Sequence, residues 1–172
     1  MKVTIEVDPA CLSTAQQTIV SFKAKRIIKN PRVRRSQRIV RNAMVVYARK
    51  VRRYLDAMME VNQRAGLSVR TVFRFEFPDS GTKREKATRY EGQPVISAKW
   101  GDCDNRFKST GDALMQCHAI PDDHFITELL IRKVYTFGKP RIDFGFFLHS
   151  GNPDEPIFTP EAESSSFLAR KH

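Results

Sequence analysis

Residues 125–137 (FITELLIRKVYTF) and residues 141–149 (RIDFGFFLH) are two long, largely apolar stretches separated by residues 138–140 (GKP). Apolar stretches on either side of a short Gly and Pro segment are typical of two consecutive strands. They predict a β-hairpin. Large apolar side chains fall on both faces of the first stretch, as at Leu129 and Leu130, so we expect it to lie centrally in the sheet, covered on both sides.

Two further segments alternate between apolar and polar residues, as a strand with one buried face does. The first is near the start of the chain and has Val3, Ile5 and Val7 on one face. The second has Thr71 and Phe73 in a run of inward positions that continues to Phe77. Each predicts a strand.

Helical spacing of apolar residues dominates the segment before the second strand. The apolar positions recur at steps of three and four, and they are Ile39, Ala43, Tyr47, Val51, Tyr54, Met58 and Val61. This spacing predicts a helix from about Ser36 to Ala65, with Gly66 as its C-terminal stop. A short strand over Val95–Trp100 and a second helix over Asn105–Cys117 are also expected.

Charge is unevenly distributed along the chain. Lys and Arg outnumber Asp and Glu by 30 to 19, a formal charge of +11, and such a field attracts nucleic acid. Five cations crowd the opening of the long helix, where the helix dipole is already positive: Arg32, Arg34, Arg35, Arg38 and Arg41. We expect them to bind DNA phosphates, because an anionic partner offsets that repulsion. The alternative is that they only solvate the helix end.

Other features of the sequence set the class of protein. No apolar run approaches the ~20 residues that span a bilayer, and the segment MKVTIEV lacks the apolar core of a signal peptide. Three cysteines without a framework spacing fit a reducing compartment. We therefore expect a cytoplasmic protein with one domain over residues 1–150 and a flexible C-terminal tail over residues 151–172.

Acidic residues concentrate in one short stretch of this basic chain. Asp102 and Asp104 precede the second predicted helix, and Asp122 and Asp123 follow it. Carboxylate oxygens are the ligands that Mg²⁺ prefers, and Mg²⁺ polarises phosphodiesters. On an extended segment the first two carboxylates share a face about 6 to 7 Å apart. Lys108, four residues after Asp104, lies on the same helical face and is placed to contact a phosphate.

Simpler interpretations of these residues remain open. An Asp-X-Asp sequence is often only a turn or a helix cap, and Asp112 is expected to be structural, paired with Lys108. Four other residues, Cys103, Cys117, His118 and His124, form an alternative zinc set. Their spacing matches no standard zinc pattern.

The segments Asp102-Cys-Asp-Asn-Arg-Phe-Lys108, Asp112-Ala-Leu114 and Ile120-Pro-Asp-Asp-His124 resemble the core motif of the RusA family of Holliday-junction resolvases. That family has an Asp-X-Asp-Asn-X-X-Lys run, an Asp-Ala-Leu helix and a closing Asp-Asp pair. The resemblance implies an α+β fold, with a small mixed β-sheet flanked by helices and assembled as a homodimer. It also implies that Asp102, Asp104 and Asp123 bind the catalytic metal and that Lys108 is the essential lysine.

The expected function is therefore a Mg²⁺-dependent endodeoxyribonuclease that resolves four-way or other branched DNA by paired symmetric nicks. A two-fold dimer presents two matching sites to such a junction. Two alternatives remain: a nuclease acting on flaps or ordinary duplex, and a nucleic-acid-binding protein without catalysis.

Overall fold

The computed structural model describes residues 1–13, 18–21, 26–61, 66–77, 82, 89–96 and 101–149. Two long α-helices lie in this part of the chain, α1 (Pro31–Val61) and α2 (Cys103–Gln116), and residues 89–90 are also helical. Single 3-10 turns occur at Pro9–Cys11 and Asp123–Phe125. The strands are β1 (Lys2–Ile5), β2 (Thr18–Ser21), β3 (Arg26–Lys29), β4 (Gly66–Glu76), β5 (Ile126–Thr136) and β6 (Arg141–His149).

The main sheet has four strands in the order β1-β6-β4-β5, and β2 pairs with β3 separately. Strand β4 is antiparallel to β6 and parallel to β5. The predicted hairpin of the two apolar stretches is therefore wrong, because β4 lies between them. β5 follows α2 as the second strand of a β-α-β unit, and the connection 137–140 then crosses roughly 10 Å, the width of two strand spacings, to reach β6.

β5 is the last strand of this sheet, so its predicted central position is also wrong. Leu129 is 43% exposed, so the large apolar groups of β5 are not all covered, and their presence on both faces did not indicate a central strand. The outer edge of β5 is partly paired by the segment that includes Gln93 and Val95. The Val95 amide donates to the Lys133 carbonyl at 2.9 Å, and the Tyr135 amide donates to the Gln93 carbonyl at 3.0 Å.

One hydrophobic core joins both helices to a single face of the sheet. The sheet contributes residues of alternate positions, and the helices contribute their inward stripes: Val3, Ile5, Val69, Phe73, Phe75, Ile142, Phe144, Phe146, Val40, Met44, Val51, Leu55 and Leu114. Burying each of these side chains contributes about 1.5 to 3 kcal/mol. The α+β class, the mixed sheet and both alternating strands are confirmed.

Helix α1 begins at Pro31, five residues before the predicted start. The Asn30 side chain accepts a hydrogen bond from the Arg32 amide at 3.0 Å, which is the bond of a helix N-cap, and Pro is favoured at the first helical position. The apolar spacing alone missed this start because the first turn carries mostly arginines. Gly66 opens β4 rather than ending the helix.

Helix α2 ends in a left-handed residue. His118 has φ 59°, and the Ala119 amide donates to the Leu114 carbonyl at 2.9 Å. This is the geometry that usually places Gly after a helix. His118 therefore has a backbone role at this position.

Some predictions fall on residues that the structure does not describe, among them most of the strand over Val95–Trp100 and the tail over residues 151–172. Within the described residues, no helix combines the length and apolar character needed to cross a membrane.

Candidate active site

The start of α2 presents two exposed carboxylates. Asp102 occupies the N-cap position in an extended conformation, and its side chain makes no capping bond to the helix. Asp104 lies one residue inside the first turn. The two carboxylates therefore do not project from an extended segment as predicted, since the helix begins between them. Both are acidic groups at a helix N-terminus, where the helix dipole stabilises negative charge.

Lys108 lies against Asp104, as the four-residue spacing predicted. Its Nζ is 3.6 Å from the Asp104 carboxylate, with side chains 58% and 65% exposed. An ion pair this exposed contributes little to stability. Both groups are therefore accessible to a ligand at small cost to the fold.

Arg106 fixes the start of α2 in the protein. It is 2% exposed, and its guanidinium donates to the carbonyl oxygens of Pro9 and Leu12. Burial lowers its pKa, while Asp8 and then Cys103 oppose the shift. In the sequence, Arg106 occupies a variable position of the motif. Its burial was not predicted, because arginine is seldom buried. The one sequence feature that indicated its burial is its position one helical turn before Ser109 and Thr110, which lie on the same inward face.

A second contact ties the same region to β5. Lys133 donates from Nζ to the carbonyl oxygen of Gly101 at 2.6 Å, directly before Asp102. Gly101 itself has φ 64°, a left-handed conformation that glycine adopts without a steric penalty. The chain therefore enters α2 through a turn that a β5 side chain supports.

The second pair of carboxylates lies in the 3-10 turn that leads into β5. Asp122 accepts a hydrogen bond from the His124 amide at 3.3 Å, and its carboxylate is 3.2 Å from His124 Nδ1. Hydrogen bonds from the Asp123 side chain and from His124 lower the pKa of Asp122. Asp122 therefore caps the turn, while Asp123 is exposed beside it.

The two acidic groups lie at opposite ends of the strands, with Asp102 and Asp104 at one end and Asp122 and Asp123 at the other. Arg106 packs over Phe75 near the carboxyl end of β4, whereas β5, which starts directly after the Asp123 turn, pairs Ile126 with Leu67 at the other end. Eight residues of β4 separate these levels, roughly 26 Å. Among the described residues, no three Asp, Glu, His or Cys side chains form a group that could hold a metal ion.

The donor chemistry of the predicted site suits a hard cation even though one chain keeps its carboxylates apart. Asp102, Asp104 and Asp123 are all exposed, and they supply the oxygen ligands that Mg²⁺ prefers. The alternative zinc set gains no support, because the described cysteines and histidines belong to no three-residue metal group. Cys117 is half-buried, and burial raises the pKa of its thiol.

The five arginines at the start of α1 that are predicted to bind DNA are all exposed, and the first turn of the helix contains no acid. Their end of α1 lies against the C-terminal half of α2. Gln37 donates to the Asp112 carboxylate at 2.5 Å, and Gln116 donates to the Gln37 side chain at 3.5 Å. Asp112 is thus structural, as expected, with Gln37 as its partner. The Ser13 amide also donates to the Ser36 hydroxyl at 2.7 Å, so the same end of α1 contacts the segment whose carbonyls Arg106 binds.

A basic α+β domain with carboxylates and a lysine exposed at one helix start has the features of an endodeoxyribonuclease. The model of the family described as Endodeoxyribonuclease RusA matches residues 26–144. Because the match covers most of the chain, this protein belongs to the RusA family. The matched residues include both acidic groups and the five arginines at the start of α1. A comparison with curated proteins finds no matching relative.

Proposed function

We propose that this protein is a Mg²⁺-dependent endodeoxyribonuclease that resolves four-way and other branched DNA by paired nicks, acting in the cytoplasm. The observation that carries the proposal is the family match over residues 26–144 combined with the exposed Asp104 and Lys108 pair at the start of α2. The match brings the endonuclease class, and the pair supplies an acid and a cation at one accessible point.

Each group then has a distinct task. Asp102, Asp104 and Asp123 would hold Mg²⁺, which when bound polarises the phosphodiester and activates a water. Lys108 would exchange its ion pair with Asp104 for the phosphate, where its ammonium group would stabilise developing negative charge. The low stability of the exposed ion pair favours this exchange.

A homodimer would bring the separated carboxylates together. Within one chain, Asp123 lies about 26 Å along the sheet from the start of α2. A metal ion bound by all three carboxylates would therefore need Asp123 from a second chain. In a two-fold dimer, Asp123 of the partner subunit would lie beside Asp102 and Asp104, and the symmetry would create two such sites. Two sites suit two symmetric nicks.

The arginines of α1 would provide most of the affinity for DNA. Arg34 and Arg38 are exposed on the first turns of α1, where their guanidinium groups would contact phosphates. Phosphate contacts of this kind release counterions, so affinity should fall steeply with salt.

The test is a nicking assay on a labelled synthetic four-way junction, with and without Mg²⁺, using Asp123→Asn as the matched inactive variant. The proposal expects Mg²⁺-dependent nicks at symmetric positions and none from the variant. Unlabelled linear duplex and flap DNA then compete with the labelled junction. If the protein prefers either competitor to the junction, it is a duplex or a flap nuclease and not a junction resolvase. Binding without any cleavage in Mg²⁺ would assign a non-catalytic DNA-binding protein.

A further inference from the structure

Four aromatic rings pack together where β4 and β5 end. Phe77 is the centre of the group, with ring centroids 6.0 Å from Tyr90, 6.3 Å from Tyr135 and 6.3 Å from Phe137. Tyr90 and Tyr135 meet edge to face at 5.7 Å. This aromatic cluster contributes none of the buried residues of the main core, and Tyr135 packs against that core from its edge.

Phe137 is the most exposed member of the aromatic cluster. It is 56% exposed, whereas the other three rings are half-buried beneath or beside it. Its backbone is held in place, because its amide donates to the Glu91 carboxylate. The Phe137 ring is thus presented to solvent against Phe77, which in turn contacts Tyr90 and Tyr135.

The aromatic cluster lies at the same edge of the sheet as the start of α2. Lys133 and Tyr135 are two residues apart on β5 and share a face, about 6 to 7 Å from each other. Lys133 binds the carbonyl of Gly101, next to Asp102, while Tyr135 belongs to the cluster. The exposed ring and the predicted catalytic acids Asp102 and Asp104 therefore lie at the same end of the strands.

Two exposed cations lie near the aromatic cluster. The Arg89 guanidinium lies 5.4 Å from the Tyr90 ring centroid, and Lys139, two residues after Phe137, is 83% exposed in an ion pair with Glu6. A fixed aromatic face among exposed cations matches the way proteins hold unpaired nucleic-acid bases, where rings stack on bases and cations contact phosphates. The chain's charge of +11 favours the same anionic occupant.

We propose that Phe137, packed on Phe77 with Tyr90 and Tyr135 behind it, forms a stacking platform for an unpaired DNA base at the end of the sheet where α2 begins. The proposal rests on the proposed function for the source of such bases, since paired bases inside a duplex cannot reach a ring on the protein surface. At a branch point some bases are unstacked and accessible. The platform would therefore favour branched DNA over linear duplex.

The experiment measures binding in EDTA, where Mg²⁺-dependent cleavage does not occur. The probes are a duplex with a central bubble of unpaired bases and a fully paired duplex of equal length. Phe137→Ala should weaken binding to the bubble by about five-fold or more, the loss of one stacked base, and leave duplex binding within about two-fold. Phe137→Trp should bind the bubble as tightly as the wild type.

Two further variants separate stacking from packing. Phe137→Leu keeps an apolar group without an aromatic face and should behave like Phe137→Ala. Leu129→Ala, at the other end of β5 and 43% exposed, should bind both probes normally. The slope of log affinity against log salt should stay unchanged in the Phe137 variants, because stacking releases no counterions.

Equal affinity of the wild type, Phe137→Ala and Phe137→Leu for the bubble would overturn the platform. An equal loss on bubble and duplex would overturn it too, since that pattern reflects a general defect. Because binding is measured without cleavage, its outcome is independent of the nicking assay. A protein that nicks junctions but shows no effect at Phe137 loses only this inference, and one that stacks bases without nicking loses only the proposed function.

Discussion

The guanidinium carbon of Arg106 lies 5.1 Å from the centroid of the Phe75 ring. This contact fixes the first turn of α2 at the carboxyl end of β4. Because β5 runs parallel to β4 and begins after the Asp123 turn, the same contact separates Asp102 and Asp104 from Asp123. The position of one buried arginine therefore bears on the dimeric assembly that we propose for the site.

Replacing Asp104 tests the acidic site directly. Asp104→Asn removes the charge of a proposed metal ligand without changing side-chain size, so junction nicking in Mg²⁺ should fall by at least about a hundredfold while junction binding stays largely intact. Asp56→Asn is the control, because Asp56 is also exposed in an i,i+4 ion pair, with Arg52. Cleavage retained by Asp104→Asn would remove this residue from the mechanism.

Mixing two inactive variants tests the dimeric site. In a heterodimer of Asp104→Asn and Asp123→Asn chains, a site built across the interface is either doubly substituted or fully wild type. Co-expressed chains should therefore regain nicking, with about a quarter of the wild-type number of working sites if the chains pair at random. A mixture as inactive as either variant alone would place all three carboxylates of each site in one chain.

The arginines of α1 should control affinity for DNA. Arg34→Ala combined with Arg38→Ala should weaken junction binding several-fold at moderate salt and reduce the salt slope by about two, one for each lost phosphate contact. Lys2→Ala with Lys50→Ala removes the same charge elsewhere and is the matched control. Affinities that match in the two double variants would indicate that Arg34 and Arg38 only solvate the helix end.

Arg106 should be required for stability although it is charged. Arg106→Met leaves the Pro9 and Leu12 carbonyls without this donor, and we expect the free energy of unfolding to fall by about 2 kcal/mol. The exposed Arg38→Met should change it by no more than about 0.5 kcal/mol. Urea denaturation measures both, and similar values for the two variants would contradict the anchoring role.

His118 offers a stabilising substitution. Its φ of 59° favours glycine, so His118→Gly should raise the free energy of unfolding by roughly 1 kcal/mol. Gln116→Gly is the control in the regular last turn of α2, where glycine should lower stability by about 1 kcal/mol. Thermal and urea unfolding together would show whether the two glycines act in opposite directions.

The sequence predicted those features that depend on local spacing. Alternation at Val3 and Ile5 and along β4 identified strands with one buried face, and the steps of three and four identified α1. The order of the acidic motif placed Lys108 one turn from Asp104. These predictions hold because neighbouring residues on a strand or helix have a fixed geometry whatever the rest of the chain does.

Tertiary structure alone decided how those elements meet. The insertion of β4 between β5 and β6, the burial of Arg106 against Phe75 and the distance from Asp123 to the start of α2 all join residues remote in sequence. No spacing rule records them, because strand order depends on which apolar surfaces pack best across the whole domain. The sequence by itself determined which chemical groups this protein carries. Only the packing of α2 on the sheet decided which of them lie at the same end of the strands.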